Sequence, residues 1–308
     1  MPPVGFVDPM LPTLVDEAPR GGEWIHEIKF DGYRTVLTIR GKDVHAYTRN
    51  GFDWIGRYAP VIAAARGLRC RSAILDGEMC VQNASGITDF PALRGAIKSA
   101  PERLVLFAFD LIALDGRDLR GEALRERRRR LRDLVGGDAA SRVQLSHEHV
   151  GDGPAFFRAA DQHGLEGIVS KRADSLYTSG RTKAWVKVKS YTVADYAVLG
   201  VERSRTGLPV ALLARLGRSP AYVGDAVVTL KARERERFWA TVEELGAPRA
   251  RLAGTIAKRK AAWMREGMVA RVRHLRGEDK LRHASIQAIG AEGELPGDVD
   301  DARHPDDA

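Results

Sequence analysis

The most constraining feature of this chain is a short segment in which apolar and charged residues alternate before a glycine. Ile28 and Phe30 alternate with Glu27 and Lys29. A β-strand would place the two charged side chains on one face and the two apolar side chains on the other. Gly32 follows, where it permits a tight turn and leaves room for a ligand. The segment therefore predicts a strand rim that presents a lysine and a carboxylate to a binding site.

The composition is that of a soluble globular protein without a membrane segment. The 308 residues are enough for two domains, and 44% are hydrophobic while 29% are charged. No stretch approaches the roughly 18 apolar residues of a membrane span, so no membrane partner is expected. The first residues lack a basic region followed by an apolar core, which predicts no secretory signal. Cys70 and Cys80 are expected to be reduced thiols in a cytosolic protein.

The charge distribution points to a polyanionic partner. The whole chain carries +8, and the segment from 291 to 308 contributes −6, so the remaining residues carry +14. A body this basic suits nucleic acid. Residues 249–282 hold eleven cations against three acids, so this region is predicted to bind the duplex backbone. The expected localisation is cytoplasmic, in association with the nucleoid.

The first part of the chain, residues 1–190, mixes strands and helices without a regular βαβ repeat. This mixture predicts an α+β domain. Strand-like runs occupy residues 23–30, 35–39, 73–81 and 104–112, and helical patterns occupy residues 57–65 and 122–134.

A different pattern begins near Tyr191. Three short strands, a helix and two more strands suit a five-stranded barrel of the OB type over residues 191–290. The predicted strands cover 193–201, 208–216, 221–230, 268–275 and 281–289, and the helix covers 231–245. The acidic segment 291–308, with its Gly, Pro and Asp residues, is predicted to be a disordered tail.

The segment from Lys29 to Arg34 has the spacing K-x-D-G-x-R, and six further motifs follow in a characteristic order. A lysine amine can attack the α-phosphate of a nucleotide and hold it as a phosphoramidate. Together the motifs resemble the ATP-dependent DNA ligase family, and in particular the ligase domain of bacterial non-homologous end-joining enzymes. The further motifs are Arg49-Asn50-Gly51, Asp76-Gly77-Glu78, Phe109-Asp110-Leu111, the run from Glu166 to Lys171, Ser179-Gly180-Arg181 with the run from Trp185 to Lys189, and the run from Leu281 to Ser285.

The resemblance implies a nucleotidyltransferase, or adenylation, domain followed by an OB-fold domain, with Lys29 as the nucleophile. The cofactors implied are ATP and Mg²⁺ or Mn²⁺, with the metal held by Glu166 and Glu78 and by phosphate oxygens. Lys187 and Lys189 alternate along a strand and would face a phosphate. Adenylate would pass from ATP to Lys29 and then to a DNA 5′-phosphate, after which a 3′-hydroxyl would displace AMP.

The same resemblance implies which residues hold the rest of the nucleotide. Phe109 would stack on adenine, and Glu27 would accept a hydrogen bond from the adenine amino group and so favour adenine over guanine. Arg34 and Arg49 offer planar forks that match phosphate or ribose oxygens. Glu78 would contact the ribose or the metal. Nicked duplex DNA is the implied partner, and Ku and other end-joining proteins stay open as partners.

Two other charged clusters carry a weaker signal. The run from Arg127 to Arg130 fits a solvated helix face at least as well as a DNA contact. His147-Glu148-His149 lacks a further ligand set, so it does not predict a metal site.

The chain departs from the ligase pattern at its end. Related ligases carry a final R-x-D-K motif, which orients the pyrophosphate leaving group, but residues 287–292 contain neither its arginine nor its lysine. Residues 276–280 are better interpreted as a hairpin turn. The glycine-rich barrel segment is also altered, at residues 222–226. This departure leaves open a non-catalytic protein that binds nicks. An RNA ligase or capping-type nucleotidyltransferase of the same superfamily is the other open alternative.

Overall fold

The computed structural model describes residues 5–136, 140–204, 206–217, 220–252, 256, 259–276, 280–291 and 295. The chain divides into two compact units, residues 1–190 and residues 191–308. Residues 277–279 of the predicted hairpin turn at 276–280, and all of the predicted acidic tail at 291–308 except residues 291 and 295, lie outside the described residues. No helix in the described part of the chain is long and apolar enough to cross a membrane.

The first unit is built on two sheets with helices packed against them. In chain order its strands are β1 (Met10–Leu14), β2 (Trp24–Ile28), β3 (Tyr33–Arg40), β4 (Asp43–Thr48), β5 (Ser72–Cys80), β6 (Val105–Leu114), β7 (Arg117–Asp118), β8 (Val143–Leu145), β9 (His149–Val150), β10 (Gly167–Arg172) and β11 (Gly180–Lys189). Its α-helices are α1 (Ala59–Ala65), α2 (Phe90–Ser99), α3 (Leu124–Val135) and α4 (Gly153–Gln162). The strands and helices predicted for this half are confirmed, with ends shifted by a few residues.

One sheet has the strand order β1-β11-β10-β2-β9, and the other has β4-β3-β5-β6-β7 with β8 paired to β6. The β1–β11 pair is parallel, whereas β10 runs antiparallel to both β2 and β11. The strand β6 is buried along nearly its whole length, as its continuous apolar run indicates for a central strand covered on both faces. These two sheets hold the site described below.

The α3 helix corrects the interpretation of the arginine run. Arg127 and Arg128 are fully buried, and only Arg129 and Arg130 keep solvent exposure. Arg127 pairs with Asp110, so the first two arginines are structural cations inside the unit rather than a solvated helix face. Sequence pattern alone could not show this, because the buried carboxylates that pair with the arginines lie 17 and 101 residues away in the chain.

The second unit contains β12 (Tyr191–Arg203), β13 (Pro209–Ala214), β14 (Tyr222–Val228), α5 (Ala232–Glu244), β15 (Gly246–Ala247), β16 (Ala262–Met264), β17 (Val269–Leu275) and β18 (Ser285–Gly290). The predicted strands and helix are confirmed. The pairings run from β12 to β13, β14, β18 and β17 and return to β12, with β14 and β18 parallel. The short strands β15 and β16, which the sequence did not predict, extend this sheet beside β12.

Candidate active site

A cleft of about 220 Å³ in the first unit brings most of the predicted site residues together. Both sheets contribute to its walls. Its lining residues are Leu11, Pro12, Glu27, Ile28, Lys29, Phe30, Arg34, Arg49, Glu78, Phe109, Val169, Lys171, Trp185 and Lys187. The two remaining predicted residues do not line the cleft but lie beside Lys29. Glu166 pairs with Lys29, and Lys189 lies near the other oxygen of Glu166.

Lys29 lies just beyond the end of β2 and is held at both its backbone and its side chain. Its backbone N–H donates to the carbonyl of Gly167 at 2.9 Å, and its Nζ donates to Glu166. The other oxygen of Glu166 lies 3.8 Å from the Nζ of Lys189. One carboxylate is therefore shared by two lysine side chains, which leaves a net positive charge, and Lys29 keeps a partly exposed amine at the cleft.

Two glycines allow the chain to approach closely around this lysine. Gly167 has φ +136°, and a Cβ there would lie 2.1 Å from the carbonyl oxygen of Val188. A Cβ on Gly32 would lie 2.2 Å from the carbonyl oxygen of Met79. The structure thus explains the glycine at position 32 differently from the predicted room for a ligand. The loop after Lys29 packs directly on β5, and a side chain would not fit between them.

Glu78 faces the same cleft from the other sheet. Burial raises its pKa to about 7, the charges of Glu166 and Asp76 add to this, and Arg34 and Lys29 oppose it. The carboxyl groups of Glu78 and Glu166 repel each other and are partly desolvated, so a cation bound beside them would be stabilised.

Arg34 lies opposite Glu78 in the β3–β5 register, but its fork binds another carboxylate. Its Nε and Nη2 donate to the two oxygens of Asp76 at 2.6 and 2.7 Å, and Nη2 also donates to the carbonyl of Met10 at 3.0 Å. Tyr177 donates its hydroxyl to the same Asp76 at 2.7 Å. One edge of the Arg34 fork is therefore used inside the protein, and a contact from Arg34 to phosphate or ribose stays a prediction.

Phe109 is placed at the cleft by an irregularity in β6. In the β5–β6 ladder Asp76 pairs with Asp110 and Gly77 pairs with Ala108, so Phe109 is the extra residue of a bulge, a feature that re-aims a side chain. The guanidinium carbon of Arg34 lies 4.4 Å from the centre of the Phe109 ring. The predicted stacking partner of adenine is thus a largely buried ring with a cation against it.

Lys171 is a lining residue that sequence reasoning did not single out, although it ends the motif that begins at Glu166. It is buried, and its Nζ lies 4.2 Å from the ring centre of Phe109 and 4.4 Å from that of Trp185. Burial lowers the pKa of Lys171 to about 8, although its ion pair with Glu27 opposes the shift. The sequence could have indicated Lys171, because it lies two residues after Val169 in a strand and therefore on the same face.

Glu27 sits inside a network of donors at the back of the cleft. Its Oε1 accepts hydrogen bonds from Lys171 at 2.7 Å and from Arg128 at 2.8 Å. Its Oε2 accepts a hydrogen bond from the hydroxyl of Ser146 at 2.9 Å. The carboxylate is therefore held in one orientation by contacts that the sequence pattern did not reveal.

Basic side chains surround the open side of the cleft. Lys187 is half-buried, and its pKa is lowered by burial and by the positive charges of Lys29, Arg181 and Arg49, while Glu166 raises it. Arg49 is exposed where it lines the cleft, just after β4. This concentration of positive charge suits a polyphosphate ligand.

A metal ion fits the site only with ligands from the substrate. No group of three or more His, Cys, Asp and Glu residues in the described part of the chain could hold a metal. Mg²⁺ is commonly bound by one or two carboxylates together with substrate phosphates, which Glu78 and Glu166 could supply. At His147-Glu148-His149, Glu148 pairs with Arg128 and Arg132, so this cluster has an ion-pairing role.

The basic region of the second unit is more paired than its composition suggested. Arg259 binds both Glu202 and Asp225, and Arg271 binds Asp195 through two hydrogen bonds of 2.9 and 3.0 Å. Arg251 also pairs with Glu266. These three arginines are engaged in ion pairs within the second unit, so the other cations of that region are better candidates for the predicted duplex contact.

The part of the chain that contains this cleft is similar to known proteins. The family model of the ATP dependent DNA ligase domain matches residues 9–189, which include both sheets and the cleft. The chain belongs to the ATP-dependent DNA ligase family, and its first unit has the nucleotidyltransferase fold of those ligases, with mixed sheets and few helices.

The relatives include enzymes of end joining and a shorter ligase. The chain is 37% identical over 196 residues to the multifunctional non-homologous end joining protein LigD of Pseudomonas aeruginosa, covering 63% of this chain and 23% of that protein. It is 31% identical over 257 residues to DNA ligase C1 of Mycolicibacterium smegmatis, covering 78% of this chain and 73% of that protein. The chain thus spans about a quarter of the length of the LigD relatives it matches.

Solved structures show the same relationship. The ligase domain of LigD from M. tuberculosis has a TM-score of 0.56 and 26% identity, with 91% of this chain and 94% of that chain covered. A mycobacterial DNA ligase D complexed with ATP and MES has a TM-score of 0.57 and 27% identity, with 92% and 95% covered.

Proposed function

We propose that the protein is an ATP-dependent DNA ligase that seals nicks in duplex DNA during repair. The observation that carries the proposal is the position of Lys29: a partly exposed amine, paired with Glu166, at the entrance of a cleft that also contains Glu27, Glu78 and Phe109. A nucleophile, a nucleobase site and a pair of carboxylates for a cation are what nucleotidyl transfer requires.

In the first step Lys29 Nζ forms a bond to the α-phosphorus of ATP, and the bond to the pyrophosphate oxygen breaks. The ammonium must first lose its proton, and Glu166 is the carboxylate in contact with it. Lys187 and Arg49 would stabilise the negative charge on the phosphates. Glu78 and Glu166 would hold Mg²⁺ or Mn²⁺, which when bound supplies positive charge at the transferring phosphoryl group.

In the second step an oxygen of a DNA 5′-phosphate attacks the lysyl-bound phosphorus and releases the Lys29 amine. In the third step a DNA 3′-hydroxyl attacks the 5′-phosphate, and AMP leaves. The same cationic cleft serves all three steps because the adenylate phosphate stays in it until the last bond breaks.

The second unit is proposed to be an OB-type barrel that helps to bind the duplex. Its support is the circuit of five strands from β12 through β13, β14, β18 and β17, with the helix α5 between β14 and β17 in the sequence. This strand order and the single parallel pair suit an OB-fold. The corresponding proposal for localisation is the cytoplasm, in association with the nucleoid. The proposed partners are Ku or other end-joining proteins.

The test of function is a labelling experiment with Lys29→Ala. The wild-type protein, incubated with ATP labelled at the α-phosphate and Mg²⁺, should acquire covalent label. The variant should not, because it lacks the only nucleophile proposed, and chelation of the metal should prevent labelling of the wild type. Lys183→Ala is a matched control, because Lys183 is an exposed lysine outside the cleft lining. Label on the Lys29 variant would exclude Lys29 as the nucleophile.

The same experiment separates the alternatives. Preferential label from GTP would favour a capping-type enzyme, and label followed by sealing of nicked RNA rather than DNA would favour an RNA ligase. Absence of label from either nucleotide, with binding of nicked DNA retained, would favour a non-catalytic nick-binding protein.

A further inference from the structure

Arg128 joins the two parts of the cleft that face the nucleobase, although it does not line the cleft itself. It is 1% exposed, and its Nη1 donates to the Oε1 of Glu27 at 2.8 Å and to the carbonyl oxygen of Phe109 at 2.8 Å. The Phe109 carbonyl belongs to the bulge in β6. One nitrogen of Arg128 thus fixes both the carboxylate and the backbone that carries the aromatic ring.

The remaining nitrogens of Arg128 anchor it to the opposite side. Nη2 donates to the carbonyl of Ser146 at 2.7 Å, and Nε donates to Glu148. The hydroxyl of Ser146 in turn donates to Glu27. Arg128 therefore holds Glu27 directly and also holds the residue that makes the second contact to Glu27.

The hydrogen-bonding capacity of Glu27 shows what this arrangement can recognise. An ionised carboxylate offers about four lone-pair positions. Described donors occupy two on Oε1, from Arg128 and Lys171, and one on Oε2, from Ser146. One position on Oε2 remains for a ligand. It accepts an N–H donor, such as an amino group on the purine 6-position, and repels an oxygen at that position.

We propose that Arg128 is a positioning residue that sets nucleobase selectivity by holding the Glu27 carboxylate in the orientation that accepts the 6-amino group of adenine. This inference rests on the proposed nucleotidyl transfer to Lys29 and adds to it the origin of base discrimination. Without Arg128, Glu27 keeps Lys171 and Ser146 as partners but loses the contact that ties it to the Phe109 backbone.

Arg127 provides a matched control on the same helix. It is fully buried, and its Nε and Nη2 donate to Asp110 at 2.8 Å each, but it does not contact Glu27. Replacing either arginine by methionine removes a buried cation and leaves a buried carboxylate behind. Only the Arg128 variant changes the setting of Glu27.

The experiment compares lysyl-nucleotide formation from ATP, from purine riboside triphosphate, which lacks the 6-amino group, and from GTP. For the wild type, removal of the amino group should raise KM by about 10-fold or more, the effect of one hydrogen bond to a charged group, with a smaller change in kcat. In Arg128→Met this KM ratio should fall to about 3-fold or less, and the relative use of GTP should rise. Arg127→Met should keep the wild-type ratio even where its overall rate is lower.

Two further variants keep the test decisive if Arg128→Met does not fold. Arg128→Lys should give a KM ratio between that of the wild type and about 3-fold, because it keeps one charged donor. Ser146→Ala should lower the KM ratio, because it removes the hydrogen bond to Oε2 of Glu27. A wild-type ratio in Arg128→Lys together with Ser146→Ala would overturn the proposal, as would an equal loss of the ratio in Arg127→Met. If the wild type forms no lysyl-nucleotide from any of the three, the proposed function itself has failed. If it labels and discriminates but the variants discriminate equally well, only the role of Arg128 has failed.

Discussion

Individual buried ion pairs decide much of the site's geometry. Asp76 is fully buried and accepts hydrogen bonds from Arg34 and from Tyr177, whose hydroxyl also accepts from the backbone N–H of Met10 at 3.1 Å. Burial alone would lower the pKa of Arg34, but the adjacent Asp76 carboxylate raises it, so the cation stays charged in the unit. Tyr177 thereby connects β1 and β5 through a single hydroxyl group.

Tyr177→Phe is expected to lower the free energy of unfolding by about 1.5–3 kcal/mol, the cost of losing a hydrogen bond to a charged group. The Met10 N–H would also lose its acceptor. The measurement is urea unfolding of the two proteins under identical conditions. Tyr191→Phe serves as a comparison, because Tyr191 keeps solvent exposure and lies in the second unit. A change below about 0.5 kcal/mol, typical of surface substitutions, would contradict the structural role of the Tyr177 hydroxyl.

At the scale of elements, β2 shows how one strand serves two different environments. Glu27 faces the donors described above, while its neighbour His26 points to the other face of the sheet and hydrogen-bonds the Ser170 hydroxyl at 2.8 Å. His26 and Ser170 are opposite each other in the β2–β10 register. The strand therefore holds a buried histidine directly behind the cleft, and its protonation bears on the stability of the sheet.

Stability should fall in mild acid because of His26. Burial and the nearby His149 lower its pKa, although the Gly151 carbonyl and Asp152 oppose the shift. With a folded pKa below the ordinary value of about 6.5, the unfolded chain binds the proton more readily. The contribution to stability is therefore complete above pH 6.5 and declines as the pH falls towards the folded pKa, by about 1.4 kcal/mol for each unit between the two values.

The measurement is the free energy of unfolding of the wild type and of His26→Gln at pH 7.5 and at pH 5.5. The difference between the two proteins should be smaller at the lower pH, because the variant has no proton to take up at this position. His163→Gln, at an exposed histidine, should run parallel to the wild type. A difference that is independent of pH would show that His26 does not titrate in this range.

At the scale of the whole molecule, the most consequential feature is the missing R-x-D-K motif. Residues 287–292 offer neither its arginine nor its lysine to the leaving pyrophosphate. The residues proposed for the later steps are all present in the first unit: Arg34, Arg49, Glu78, Glu166, Lys187 and Lys189. The first step should therefore suffer more than the second and third.

The expected result is slow ligation with ATP but clear sealing of a nick that already carries a 5′-adenylate. Loss of one charged contact at a developing charge lowers a rate by about 10²–10³, so ATP-dependent sealing should be below that of an intact relative by about this factor. Both substrates are assayed with the same enzyme preparation. Lys187→Ala should slow both reactions, because both place the adenylate phosphate in the cleft.

Equal rates on the two substrates would show that other basic residues, such as Arg282 or Lys280, assist pyrophosphate departure. Failure on both substrates would favour the non-catalytic nick-binding protein.

The predictable and unpredictable parts of the site differ in the range of the interactions involved. Lys29, Glu78, Phe109 and Lys187 could be found from the sequence because each lies in a short motif that resembles those of the ATP-dependent DNA ligase family. Arg128 and Ser146 could not, since their partner Glu27 lies more than 100 residues away, and a run of arginines on a helix is usually solvated.

Local alternation and turn chemistry were sufficient to predict the central strands of both units and the helices α1, α3 and α5, because those properties depend on residues close together in the chain. The helices α2 and α4 and the short strands β15 and β16 were not predicted. Only the tertiary structure decided which charges are desolvated. It buried Arg127 and Arg128, directed Arg34 to Asp76, and paired Arg259 and Arg271 inside the second unit. A buried charge requires a partner at hydrogen-bonding distance, and the partner is supplied by the packing of distant strands rather than by the neighbouring residues.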